Sequence, residues 1–456
     1  MADRIGPGEF DIQAFVDGQQ LRPIHFRVLV LCGLVMFIDG FDVFMLGKIA
    51  PAIAAGFGQD VVALREVFLF QQIGLLVGAF AMTPLGDVIG RQKVLVGCSI
   101  AFGLLTLACL SAGSLFQLAV YRGLSGIFLS GVLPMAISLV AEFTPKRRRS
   151  TFVSLTLAFY TVGAAAGGAV AAWLIDDHGW QSGFWIGGVV PLLLAPLLLF
   201  LLPESAQFLA GRAGQGVRIA RILRAIQPDL VLTGAEDFRA GDALRSADER
   251  KGGILDIFRD GRARVTAVMW LACLFSMGNI ALLAAWMPSF FQEMAGIRIQ
   301  DFAIAAMIGF VGGFVGTITM GWLMDRVRPT RLIPLYYLAN AVAVVTLAHV
   351  PFGTAAFVGV LLAWNFFQSG GQAGINTLVS QVYPASARST GIGWAGGAGR
   401  IGGVILPQLG AIPLARHFTL ETTLALIAIP SICVAILILF LGQTRAATDR
   451  LSPAAA

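Results

Sequence analysis

The chain has 456 residues, of which 57% are hydrophobic and only 13% charged, with 54 glycines and a mean hydropathy of +0.80. Soluble domains carry roughly 25% charged residues, and chains beyond about 300 residues divide into separate domains rather than enlarge one core, so a water-soluble enzyme is excluded. The formal charge of +6 then bears on where positive residues sit along a membrane chain, not on nucleic acid.

An apolar helix needs about 20 residues to cross a hydrocarbon layer. Twelve segments qualify, at roughly 26–55, 66–85, 94–112, 115–141, 151–175, 182–202, 265–291, 302–324, 332–349, 354–382, 390–413 and 422–442. They predict an all-α integral membrane protein of 12 transmembrane helices in two pseudo-symmetric six-helix bundles, 25–202 and 263–442. Cytoplasmic tails (1–24 and 443–456) and a cytoplasmic central loop (203–262) complete it. About 26 of the 32 Lys and Arg fall on the side of the tails, against Arg65, Arg298 and Arg416 on the other, which predicts both termini in the cytoplasm. Lys48, Arg122 and Arg400 remain inside spans. The first span is too long for a cleavable signal peptide and carries two aspartates.

Those aspartates, Asp39 and Asp42, stand three apart and so share a helical face. A carboxylate in hydrocarbon is costly when charged, which makes the pair the proton-handling candidates, with neutralisation of an arginine as the alternative. Lys48, near the outer end of the span, is expected to snorkel to the surface. After span 2, "GDVIGRQK" (86–93) places Asp87 before Arg91 and Lys93; after span 8, "GWLMDRVRPTR" (321–331) repeats the arrangement with Asp325 and Arg326. Acidic and basic residues about a tight turn can latch neighbouring helices, or simply anchor them by charge. Span 4 carries Arg122 and ends at Glu142, expected to pair with the cluster Lys146 to Arg149. The central loop reads as a linker with one or two amphipathic helices.

Shifting the second half by 238 or 239 residues aligns Gly74 and Gly78 with Gly312 and Gly316, Asp87 with Asp325, "TPKRRRST" (144–151) with "YPASARST" (383–390), and Gly163 with Gly402. Six crossings separate the copies, so the repeats are parallel about an axis along the membrane normal, the architecture of carriers that bind substrate at the midplane. Arg400 lies near mid-span, where a guanidinium fork matches a carboxylate; Arg122 could do the same, or either could pair with Asp39 or Asp42. Span 10 offers Trp364, Asn365, Phe367 and Gln368, aromatic walls and amides suited to a planar ring, and Asn279 and Tyr336 are further candidates. Gly397, Gly399 and Gly402 spell a dinucleotide fingerprint, but no strand precedes them and helix packing explains them. Cys32, Cys98, Cys109, Cys273 and Cys433 lie in apolar stretches without metal-ligand spacing, and no metal site is expected.

The loop strings after spans 2 and 8, with "RGLSGIFLSG" (122–131), resemble the signatures of the major facilitator superfamily. Thr83, Val88 and Arg328 depart from its pattern. "DGFD" (39–42), "PES" (203–205), Tyr383-Pro384 with Arg388, and "GWAGGAGRIGG" (393–403) together resemble its aromatic acid:H+ symporter family. That resemblance implies proton-coupled uptake of benzoate-like, hydroxybenzoate-like or hydroxyphenylpropionate-like acids across a bacterial inner membrane, feeding aromatic catabolism. It implies a monomer in a lipid membrane, with the proton gradient in place of any cofactor, and the span-1 aspartates with the span-4 and span-11 arginines as transport residues. A sugar or other organic solute carrier is the alternative, since "PESAQFL" (203–209) resembles sugar porters. A membrane-embedded enzyme lacks support because no zinc-protease motif, nucleophile elbow or Walker motif is present. The six-plus-six repeat favours alternating access over a channel.

Overall fold

The structure, a computed structural model, describes residues 9–234, 236–239, 258, 262–324, 326–383 and 388–443. A short strand β1 (Glu9–Asp11) and helix α1 (Ile12–Asp17) precede the first six long helices. These are α2 (Pro23–Gly56), α3 (Arg65–Ile89), α4 (Arg91–Ala108), α5 (Leu115–Phe143), α6 (Lys146–His178) and α7 (Gln181–Leu201). Two shorter helices, α8 (Ala206–Ala210) and α9 (Gly216–Ile226), and strand β2 (Asp237–Arg239) follow. The second set comprises α10 (Ala263–Ala295), α11 (Ile299–Met324), α12 (Pro329–Leu347), α13 (Ala355–Val382), α14 (Arg388–Leu409), the short α15 (Ala411–Ala415) and α16 (Leu420–Gly442).

Among the described residues, 11 helices are long and apolar enough to cross a membrane. The twelfth long helix, α13, is 28 residues long but is interrupted by Asn365, Gln368, Gln372 and Asn376. Of these, Gln368 is buried, Asn365 and Gln372 are half-buried, and Asn376 is exposed. Helix starts are set locally: the side chains of Ser114, Thr354 and Thr419 accept hydrogen bonds from backbone amides of the first turns of α5, α13 and α16. Gly90, at φ 111°, makes the sharp α3–α4 turn, and a Cβ there would collide with the Glu204 carboxylate.

The repeat seen in the sequence has a physical counterpart in helix packing. A Cβ at Gly74 or Gly78 of α3 would fall on the backbone of Gly123 or Ile127 in α5; one at Gly312 or Gly316 of α11 would fall on Leu362 or Phe366 in α13. In the same way Gly163 of α6 abuts Phe37 of α2, and Gly402 of α14 abuts Leu274 of α10. The matched glycines are thus the points where paired helices approach backbone to backbone, the close packing that works where lipid removes any hydrophobic driving force between helices.

Three apolar clusters organise the interior. One, at the end remote from the chain termini, combines both halves, bringing Ile49, Phe68 and Phe184 together with Trp286, Phe290 and Phe302. The other two lie toward the termini and belong to one half each: Val35, Leu139 and Leu198 in the first, and Met269, Tyr337 and Ile438 in the second. The halves therefore share a core at one end and separate at the other. At the shared end Gly47 of α2 lies against Ala284 of α10, Phe44 meets the Phe310 ring edge-on at 5.5 Å, and Arg65 Nε donates to Gln408 Oε1 at 3.1 Å.

On the open end, the amino-terminal segment and part of the central loop form a cap on the first bundle. β1 pairs in parallel with β2 through Phe10 and Phe238. α9 is amphipathic, and its Ile219, Ala220, Leu223 and Ile226 are buried. Residues 240–257 of the loop lie outside the described residues.

Leucine at Gly163 or Gly402 should cost about 1–3 kcal/mol or more by overpacking, lowering the melting temperature of the purified protein. Gly97→Leu, where an added Cβ meets nothing within 4 Å, should leave it unchanged.

Candidate functional site

The two aspartates of α2 part company in the structure. Asp42 points into the first bundle, where Arg122 of α5 donates Nη1–H to Oδ1 at 2.8 Å and Nη2–H to Oδ2 at 2.5 Å. Both side chains are fully buried, and the guanidinium carbon lies 5.7 Å from the Phe184 ring centre. The bidentate fork commits Arg122 to Asp42, the alternative open in the sequence. Its placement also corrects the expectation of a shared aspartate face. Three residues advance a helix by about 300°, and the remaining offset is enough to send Asp42 inward and Asp39 toward the opposite half.

Asp39 is 6% exposed, and among the described residues no hydrogen bond or ion pair engages its carboxylate. It borders a cavity of about 230 Å³ between the halves, lined also by Gln71, Gln72, Ser130 and Tyr160 from the first half and by Met277 and Arg400 from the second. Arg400 Nη1 donates to Ser130 Oγ at 3.1 Å and to the Leu75 carbonyl at 3.3 Å, so a residue of α14 is held by α5 and α3. The rest of its guanidinium has no other hydrogen bond among the described residues. A carboxylate and a guanidinium from opposite halves thus face one chamber without touching.

A second cavity of about 120 Å³ adjoins the first, the two sharing Phe44, Ile280 and Ala284. Trp364, Asn365 and Gln368 line this second chamber, not the one at Arg400. The expected surface position of Lys48 is wrong: it is 5% exposed, lines the second chamber, and donates from Nζ to the Ala164 carbonyl at 2.6 Å. A helix packed on that face, α6, leaves no route to the surface.

Three candidates belong to the interior of the second bundle. Asn279 donates to Ser431 Oγ at 3.1 Å, and Asn340 donates to the same oxygen at 2.9 Å and to Gln368 Oε1 at 2.8 Å. Tyr336 packs on Phe366 and Phe367 with ring centres 5.7 and 5.4 Å away. Asn279, Tyr336 and Phe367 therefore brace helices and line neither chamber. In an apolar span, an amide that holds a neighbouring helix and one that meets substrate look the same in sequence. The lining residues missed there are Phe44, Gln71, Gln72, Ser130 and Tyr160; only the adjacent glutamines, polar in an apolar span, gave a signal.

Of the latch residues, Arg91 lies 2.8 Å from Glu142 and donates to Ser205 Oγ at 2.9 Å, while Gln92 N–H donates to Glu204 Oε1 at 3.1 Å. The turn is thereby tied to the end of α5 and to "PES". Glu142, expected to serve the basic cluster, engages Arg91 and Ser205, because the first turn of α4 abuts the end of α5; Arg149 of that cluster pairs with Asp17 at 2.8 Å. Lys93 is exposed, and Arg326 lies over the Trp322 ring at 3.7 Å. The side chains of Asp87 and Asp325 lie outside the described residues.

A family model described as Major Facilitator Superfamily matches residues 32–407. The chain is 33% identical to the gallate transporter of Pseudomonas putida, over 95% of this chain and 96% of that one. It is 32% identical to the 4-hydroxybenzoate transporter PcaK of Acinetobacter baylyi, over 96% and 95% respectively. Against the 3-(3-hydroxy-phenyl)propionate transporter of Escherichia coli the identity is 31%, over 93% and 95%. Among solved structures, the inward open conformation of the xylose transporter XylE from E. coli superposes with a TM-score of 0.72 at 15% identity, covering 91% of this chain and 95% of that one. A bacterial homolog of the human lysosomal transporter Spinster, inward-facing and unoccupied, gives 0.65 at 17% identity, covering 95% and 97%. These two show the shared fold.

Removing one partner of a buried ion pair strands the other charge, at about 3–5 kcal/mol. Asp42→Asn should therefore lower the melting temperature strongly, and adding Arg122→Met should restore much of it.

Proposed function

Since the chain belongs to the major facilitator superfamily, we propose that it imports aromatic carboxylic acids together with protons by alternating access. The observation that carries this reading is the chamber between the halves, in which Asp39 and Arg400 face each other from opposite repeats beside a closed end. The gallate, 4-hydroxybenzoate and hydroxyphenylpropionate carriers among its relatives support the substrate class.

In this reading Asp39 takes a proton while the chamber faces the outside. Arg400 then receives the substrate carboxylate by a charge-assisted fork, with Phe44 and Tyr160 beside the ring. Loading removes the net charge that opposes closure, and the halves rock about their shared apolar end to release proton and acid. One proton with one monoanion moves no net charge, so uptake draws on the pH gradient; each further proton would add about 2.3 kcal/mol per 100 mV of membrane potential. The halves keep separate cores on the side of residues 9–17 and 443, a side that the distribution of Lys and Arg assigns to the cytoplasm of a bacterial inner membrane. The protein would act as a monomer, and no cofactor enters this cycle. The sugar alternative is weaker: the xylose transporter shares the fold, whereas a chamber with one cation, one carboxylate and mostly apolar walls suits an aromatic anion.

Uptake of labelled 4-hydroxybenzoate into proteoliposomes tests the proposal. Asp39→Asn should abolish accumulation driven by an inward pH gradient while retaining counterflow exchange. Arg400→Ala should weaken binding by about tenfold or more, as expected for loss of a hydrogen-bonded charge partner. Full gradient-driven accumulation by Asp39→Asn would overturn the proton assignment.

A further inference from the structure

Three cations and two carboxylates lie inside the spans: Lys48, Arg122 and Arg400 against Asp39 and Asp42. Arg122 and Asp42 cancel in their buried pair, and Arg400 faces Asp39. Lys48 is left over. No carboxylate among the described residues lies within 4.0 Å of it, and its ammonium, 5.3 Å from the Phe310 ring centre, is sheltered between the halves. Gly168 makes room for it, since a Cβ there would stand 3.2 Å from Nζ.

The chamber that Lys48 borders, lined also by Asn365 and Ser369, holds buried N–H donors without partners among the described residues. Gln368 gives its oxygen to Asn340, which leaves Nε2 buried and without a partner, and Trp364 Nε1 is likewise buried and unpartnered among the described residues. Gln368 is 7% exposed. Buried donors without partners are costly, and an ammonium with two orphan N–H groups in an aromatic enclosure calls for an anionic acceptor. The chamber is contiguous with the Arg400 chamber at Phe44, Ile280 and Ala284. Lys48 is nine residues beyond Asp39 on α2, a rise of roughly 13 Å, so the two chambers are stacked along the helix.

We propose that Lys48, with Gln368 and Trp364, forms a second anion subsite, and that the preferred substrates are aromatic acids bearing a second carboxylate at the far end of the ring. The inference rests on the aromatic-acid reading and deepens it. One carboxylate lies at Arg400 and the ring beside Phe44. The other lies at Lys48. With Asp39 protonated, Arg400 and Lys48 carry two positive charges, which a dianion cancels and a monoanion leaves half-filled.

Binding to the purified full-length protein, by calorimetry with benzoate and benzene-1,4-dicarboxylate, tests this. Wild type should bind the dicarboxylate more tightly than benzoate. Lys48→Met should shift the ratio of the two Kd values by about tenfold or more against the dicarboxylate, the loss expected for a charge-assisted hydrogen bond. Lys48→Arg should keep the wild-type preference, and Gln368→Leu should shift it in the same direction as Lys48→Met. Benzoate bound with no preference for the dicarboxylate, or a Lys48→Met ratio equal to wild type, would overturn the subsite and leave the aromatic-acid reading intact. If wild type binds neither ligand, both fall. Should Lys48→Met fail to fold, the wild-type preference and the Gln368→Leu ratio decide the matter.

Discussion

A charge between helices in hydrocarbon must be paired, hydrated or given work, and that constraint organises the interior of this protein. Asp42 and Arg122 satisfy it by pairing so completely that neither side chain is exposed. Their fork spends both carboxylate oxygens and two guanidinium nitrogens on α2 and α5, which braces the first bundle beside the Asp39–Arg400 chamber. With that pair silent, the charged side chains that line the two chambers, among the described residues, are Asp39, Arg400 and Lys48.

The second determinant is where the two bundles share a core. Apolar residues from both halves merge at one end, while the other end keeps a separate core for each. Arg400 reaches across between them to Ser130 and the Leu75 carbonyl, contacts that rotation of the halves would break. Backbone-to-backbone approaches at Gly163 and Gly402 lie within the bundles, where they leave paired helices little room to shift. Gly47 and Ala284 place a similar close approach on the seam itself, where opening of the closed end would part it.

Particular residues show how far pattern reading reached. Arg400 was legible as a guanidinium near mid-span, and the structure sets it at the chamber between the halves. Asp39 and Asp42 were legible as intramembrane carboxylates but not as two differently placed groups, because spacing along one helix says nothing about which neighbour each side faces. Lys48 was misplaced for the same reason: its depth suggested escape to the surface, and α6 blocks that route. Trp364 and Gln368 do border a chamber, whereas Phe367, Tyr336 and Asn279 brace the bundle, a distinction of about one helical face that identical side-chain chemistry conceals. Glu142 stands next to a basic run in sequence, and the structure sets it against Arg91, brought close by the α3–α4 turn.

By itself the sequence determined the membrane setting, the number and order of long helices, the internal repeat and the short list of intramembrane charges. Hydropathy, helix length and residue spacing are properties of the chain taken one helix at a time. Only the tertiary structure decided which charges cancel, which line a cavity, that two cavities adjoin between the halves, and at which end the halves share a core. Each of these depends on residues far apart in the chain, Asp42 with Arg122 and Ser130 with Arg400, whose meeting is set by helix packing and leaves no trace in local pattern.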